Sequence, residues 1–129
     1  VASSINLNDL GTTFGGGMIA MAAVLATLEA IEDEDMIANA RLVEERLRDS
    51  LGAVPGVVGL RGKGCLLGIE FDSPCKPKYD ALLESGVITG TSSNPNVLRL
   101  LPPLCADAEV AAQAIGDALR EPFNVVSQL

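Results

Sequence analysis

Between Met18 and Ile31 the chain reads MIAMAAVLATLEAI, where only Thr27 and Glu29 interrupt a run of Met, Ile, Ala, Val and Leu. Strong helix formers dominate, so the stretch predicts a helix from Gly17 or Met18 to about Ile31. Apolar residues surround almost its whole circumference, and such a helix has to be covered on nearly every side. The 129-residue chain fits one domain, with a single core that buries about two thirds of the unfolded surface. It can hardly enclose this helix as well. A further domain or a partner subunit has to supply the cover. Met18 to Leu28, the longest uncharged apolar stretch, falls short of the roughly 20 residues that span a bilayer.

Composition narrows the class. Hydrophobic residues make up 48% of the chain but aromatics only 3%, so the core is built from Leu, Val, Ile and Ala. A net charge of −8 excludes nucleic acid and anionic membranes as partners, since both need a basic face. Cys65, Cys75 and Cys105 are odd in number and lack a C-x-x-C spacing. They read as reduced thiols packed as small hydrophobes, which points to the cytoplasm. The absence of histidine removes Ser-His-Asp and Cys-His catalysis and His-based metal sites, and no other metal site is expected. No basic-then-apolar leader opens the sequence, and Val1 in place of methionine suggests a processed form or a piece of something longer.

Past the apolar helix, Glu32-Asp33-Glu34-Asp35 puts negative charge where the next helix begins, a placement that suits its dipole. Met36, Ala40, Val43, Leu47 and Leu51 recur at helical spacing, with Gly52 where a C-terminal cap belongs. Arg41, Glu44, Glu45, Arg48 and Asp49 fall on the opposite face, with Glu44 and Arg48 spaced for an i,i+4 pair. GVVGLRGKGCLLGIEFD, residues 56–72, predicts two strands joined in a hairpin at Gly62-Lys63-Gly64. A short helix over Lys78–Ser85 ends at Gly86. VIT (87–89) and NVLRLL (96–101) are strand candidates separated by the loop Gly90–Asn96, and Pro102-Pro103 ends the second. Asp107 is placed to cap a helix from Ala108 to about Arg120. Strands and helices mix without βαβ alternation, which predicts α+β: a short antiparallel sheet with helices on one face.

Two features can carry binding. Gly11-Thr12-Thr13-Phe14-Gly15-Gly16-Gly17 runs into a helix, so it offers free backbone N–H groups, the positive dipole end and two hydroxyls, a set that suits phosphate. A glycine hinge with a threonine as local cap is the plainer reading of the composition. It is not a Walker A loop, because Gly17 stands where lysine is needed. Arg99 lies inside VLRLL among aliphatic neighbours, where a guanidinium needs a partner. A substrate carboxylate held by a bidentate fork is one candidate. An internal salt bridge, or a side chain reaching out to water, is the other. Gly62-Lys63-Gly64 is no dinucleotide fingerprint, because a strand follows it and position 67 is not glycine. Lys63 is expected in solvent, and Glu70 and Asp72 read as surface groups.

GTTFGGG before an Ala-rich helix, LRGKGCLLGIEF in the middle and NVLRLLPPL near the end stand in an order and at intervals that resemble a known family. The resemblance is to the C-terminal part of class III pyridoxal-phosphate-dependent aminotransferases, of the acetylornithine and ornithine type, and covers roughly residues 8 to 121. It implies the small C-terminal domain of a fold-type I aminotransferase over 34–121, preceded by a loop and long apolar linking helix over 1–33 and followed by a tail over 122–129. It further implies that Thr13, with Thr12 beside it, binds the phosphate of pyridoxal 5'-phosphate held by the neighbouring subunit of a homodimer. Arg99 takes the position of the arginine that grips the substrate carboxylate. The intact protein would transfer an amino group from acetylornithine, ornithine or a similar amine to 2-oxoglutarate. Two departures stand out: Gly16-Gly17-Met18 where the family often has Gly-Gly-Asn-Pro, and no upstream segment to carry the cofactor lysine. Lys63, Lys76 and Lys78 match no cofactor motif, so no residue of this chain is expected to be catalytic and the chain alone is expected to be inactive. The alternative is a stand-alone, non-catalytic binding or dimerisation module with the small-domain fold.

Overall fold

The computed structural model describes residues 4–6, 9 and 11–120; the tail expected over 122–129 lies outside them. The chain divides into two compact units, Val1–Asp35 and Met36–Leu129.

In the first unit a turn over residues 13–16 leads into helix α1, Met18–Asp33. Gly17 precedes it in an extended conformation with no side-chain cap. The Thr27 hydroxyl is satisfied inside the helix, donating to the Ala23 carbonyl at 2.7 Å. No residue of α1 is buried. The helix runs two residues past Ile31, and this alters the expected role of the acidic run. Glu32 and Asp33 sit at the negative end of α1's own dipole, so only Glu34 and Asp35 remain to favour the start of the next helix. Asp35 takes a positive φ of 48°, the one non-glycine residue among those described to do so.

The second unit is α+β. Helix α2 spans Met36–Leu51, strands β1 and β2 span Val57–Lys63 and Leu66–Phe71, and α3 spans Lys76–Glu84. Strands β3, Gly90–Thr91, and β4, Val97–Leu100, precede α4, Ala108–Arg120. The strands form one antiparallel sheet in the order β1-β2-β4-β3. Strand alternation puts Leu67, Ile69, Phe71, Leu98 and Leu100 on one face. That face meets Ala40, Val43, Leu47 and Leu51 of α2, Leu82 of α3 and the buried side of α4 in one apolar cluster. Within this unit α2, α3 and α4 therefore cover one face of the sheet, and none of its described helices covers the other, open face. Asp107 caps α4 through its side chain, which accepts from the Val110 N–H at 2.9 Å.

Three local expectations shift. VIT forms no strand, because the Val87 N–H donates to the Leu82 carbonyl at 2.8 Å and closes the end of α3, so pairing begins only at Gly90. Helix α3 begins at Lys76, two residues early, since Pro77 in a first turn has no N–H that would need a helical partner. In the hairpin Lys63 already pairs with Leu66, leaving Gly64-Cys65 as the turn. Gly62 belongs to β1 at φ 105°, where a Cβ would stand 2.0 Å from the Leu66 carbonyl oxygen. Cys65 and Cys75 pack in the core as expected, whereas Cys105 is exposed.

Glu44 and Arg48 do more than pair across a solvent face. Arg48 Nε donates to Glu44 at 2.9 Å, while its two Nη atoms donate to the Leu60 and Gly62 carbonyls at 3.1 and 3.0 Å. The Gly64 N–H in turn donates to the second Glu44 oxygen at 2.6 Å. The pair thus ties α2 to β1 and to the hairpin turn. The Gly64 N–H, followed by the Arg48 guanidinium, holds the Glu44 carboxyl below the usual carboxylate range. A carboxyl whose pKa is lower in the folded chain adds stability above its unfolded pKa and loses it as pH falls through the folded value. Glu44→Gln is therefore expected to lower the melting temperature at neutral pH and to flatten the acid side of its pH profile. Thermal unfolding followed by circular dichroism across the acidic range checks both; parallel profiles for the two proteins would exclude this role.

Candidate functional site

The helix-facing alternation of β4 leaves one orientation for Arg99. Leu98 and Leu100 are buried, so Arg99 between them stands on the open face and is exposed. Its cross-strand neighbours are both glycine, Gly68 on β2 and Gly90 on β3. A Cβ on Gly90 would lie 3.2–3.3 Å from the Nε, Cβ and Nη2 atoms of Arg99, so the side chain lies directly over β3. Among the described residues the guanidinium has no hydrogen bond or ion pair. The internal salt bridge that sequence reasoning held open is thus not formed there.

The open face also holds Arg61, which sequence reasoning passed over, and Glu70, which it read only as a surface group. Arg61 on β1 is the other cross-strand neighbour of Gly68. It grips Glu70 in a bidentate fork, Nε to Oε2 at 2.9 Å and Nη2 to Oε1 at 2.7 Å. Period-two counting across the hairpin could have put Arg61 and Glu70 on the same face, once the turn is set at Gly64-Cys65. Asp72 lies just past β2, with its side chain accepting from the Ser73 hydroxyl at 2.9 Å.

Two apolar hollows of about 330 and 490 Å³ flank the Leu101–Pro103 segment. Arg99 lines neither and stands at an exposed surface. Burial pushes the Cys65 and Cys75 thiols up, which leaves both poor nucleophiles. Lys76 pairs with Asp80 and Lys78 donates to the Leu119 carbonyl at 3.1 Å, both structural uses. Lys63 ends β1 at the hairpin turn.

Thr12 and Thr13 lie in the first unit, adjacent and exposed, and their side chains bond to no described residue. The Gly15 N–H donates to the Thr12 carbonyl at 3.4 Å, and the first helical bond of α1 is Met21 N–H to Gly17 carbonyl at 2.9 Å. Two free hydroxyls stand before an uncapped helix start whose leading amides have no helical partner. That donor set fits a phosphate group.

A family profile described as aminotransferase class-III matches residues 1–120. The chain belongs to the class III aminotransferases. It is 43% identical over 109 residues to acetylornithine aminotransferase 1 of Bordetella bronchiseptica, covering 81% of this chain and 28% of that protein. Against the acetylornithine aminotransferase of Bacillus subtilis it is 41% identical, with the same coverage. Among solved structures, the acetylornithine aminotransferase from Elizabethkingia anophelis superposes with a TM-score of 0.75 at 25% identity, covering 92% of this chain and 32% of that one. An ornithine aminotransferase from Toxoplasma gondii, with pyridoxal phosphate in partial occupancy at its active site, gives 0.75 at 26% identity, covering 92% and 31%. This class III chain therefore spans less than a third of the length of these relatives.

The close approach of Arg99 to Gly90 has a direct consequence. Gly90→Val is expected to lift the Arg99 side chain off β3 while changing stability by no more than about 0.5 kcal/mol, as for other surface substitutions. The Arg99 Nε–Hε resonance should move, with the urea midpoint nearly constant; an unmoved resonance would show that the side chain does not rest there.

Proposed function

We propose that this chain is the C-terminal portion of an acetylornithine/ornithine-type aminotransferase, in which Arg99 binds the substrate carboxylate and Thr12 and Thr13 bind the cofactor phosphate. One observation carries the reading: an arginine that is unpaired among the described residues, laid over glycine on the open face of the sheet. A guanidinium in that state costs nothing to release from an internal partner, and its planar fork matches a carboxylate. The names of the relatives support the donor class, an amine such as acetylornithine or ornithine; 2-oxoglutarate as the acceptor is part of the proposal.

Pyridoxal phosphate, when bound, would supply the electron sink for amino-group transfer. Thr12 and Thr13 would anchor it by their hydroxyls, together with the leading amides of α1. Arg99 would hold amine donor and oxo-acid acceptor alike by the carboxylate each presents, orienting them in turn at one place. None of the three lysines is offered as the cofactor's attachment point, so the 129-residue chain alone is assigned no transaminase activity.

The family's dimer would also account for α1. Met18 is 90% exposed and Ile19 89%, while Met21, Val24, Leu25 and Leu28 are each more than half exposed. Apolar surface left in water costs on the order of 25 cal/mol per Å², which favours any complementary surface. Sedimentation of the isolated chain should show dimers or larger species that Leu25→Glu disperses. A monomer with α1 folded would count against an interface there.

In the intact enzyme Arg99 and Thr13 should fail differently. Charge-assisted hydrogen bonds are worth about 1.5–3 kcal/mol each, so Arg99→Lys should cut kcat/KM roughly tenfold to a few hundredfold in both half-reactions. Cofactor affinity should hardly change. Thr13→Ala should instead speed cofactor release, with substrate preference unaltered and a defect that deepens on dilution if the contact crosses the dimer. Steady-state kinetics and absorbance-monitored cofactor release read out both. Full kcat/KM for 2-oxoglutarate in Arg99→Lys would make Arg99 structural.

A further inference from the structure

The register of the sheet gives Glu70 two equivalent suitors. Arg61 and Arg99 are the cross-strand partners of the same residue, Gly68, one on each side of β2. Glu70 is two residues along β2, opposite Gly59 and Val97 on the same open face. It is therefore the diagonal neighbour of both arginines, a separation of about 7–8 Å that long side chains bridge. Gly68 between them adds no side chain to keep them apart. Yet both Glu70 oxygens face Arg61, and Arg99 lies turned the other way, over Gly90.

We infer that Arg61 is a positioning residue that keeps Glu70 off Arg99 and so leaves the Arg99 guanidinium free for a carboxylate ligand. Arg61 is placed as a decoy partner. It occupies the one carboxylate on the open face that reaches Arg99 by register, in a fork that takes up both oxygens. Gly90 is the complement on the other flank, where a bare backbone lets Arg99 lie away from Glu70. If Arg61 is removed, Glu70 turns to Arg99, and an incoming carboxylate has to displace it. This rests on the proposed role of Arg99 in substrate binding; the sequestration of Glu70 by itself does not.

Two measurements separate those levels. In the 129-residue chain, Arg61→Gln should shift the Arg99 Nε–Hε resonance and slow its exchange with water, as a new ion pair forms. The double variant Arg61→Gln with Glu70→Gln should return both to their original values. An Arg99 resonance indifferent to Arg61→Gln, or shifted equally in the double variant, would overturn the inference. In the full-length enzyme Arg61→Gln should raise KM for 2-oxoglutarate about twofold to fivefold, the range set by one exposed ion pair, with kcat nearly constant. The double variant should restore it. Rescue fits only a competing Glu70, whereas a raised KM that persists in the double variant would mean that Arg61 touches substrate or supports the sheet. A clear resonance shift with unaltered KM would leave the decoy standing and overturn the assignment of Arg99 to the substrate.

Discussion

Burial of the inner sheet face beneath α2 and α4 is the constraint on which the rest of the second unit depends. Leu67, Ile69, Phe71, Leu98 and Leu100 are at most 3% exposed, and Leu47, Leu51 and Leu119 close over them. Because side chains alternate along a strand, this burial also decides what the other face displays. Slipping β4 by one residue would put Arg99 into the aliphatic cluster, at the cost of a desolvated and unpaired charge. The position of the arginine is thus a by-product of packing. Its identity is not, since a strand face turned to water accepts many residues.

Electrostatics on the open face then separate charges that proximity alone would join. Three charged side chains, Arg61, Glu70 and Arg99, stand within one row and its diagonal, and the pairing chosen leaves one guanidinium over. Exposed pairs are weak, so small geometric preferences decide among them. The twin glycines, Gly68 and Gly90, supply those preferences by removing the side chains that would otherwise fill the row. On the helix side the Glu44–Arg48 pair has a different task. It bonds to backbone at Leu60, Gly62 and Gly64, holding the hairpin whose register aligns Arg61 with Gly68.

The first unit has no comparable internal logic. Its helix carries apolar residues on nearly all sides and buries none of them, while the Thr12 and Thr13 hydroxyls of its leading loop bond to no described residue. The proposed function reads them as halves of contacts, one with apolar protein and one with an anion. The chain spans 28% of the length of its Bordetella bronchiseptica relative.

Much of this was legible along the chain. Helical spacing gave α2 and α4, alternation gave β1, β2 and β4, Asp107 announced its cap, and the three motifs pointed to the family before any fold was in view. Such features depend on neighbours a few residues away, so periodicity and turn chemistry record them. The errors fell where a backbone hydrogen bond or a long-range pairing decided the outcome. Val87 is claimed by the end of α3, the hairpin turns at Gly64-Cys65, and Glu44 reaches the turn beyond its own helix. Sequence alone could offer Arg99 a substrate, an internal partner or a place in water, and could rank Glu70 only as a surface acid. Only the tertiary structure decided that Glu70 pairs with Arg61 and that Arg99 has no internal partner among the described residues, because the three strands that bring these residues together are up to 38 residues apart in the chain, and charge pairing is a property of the sheet they form.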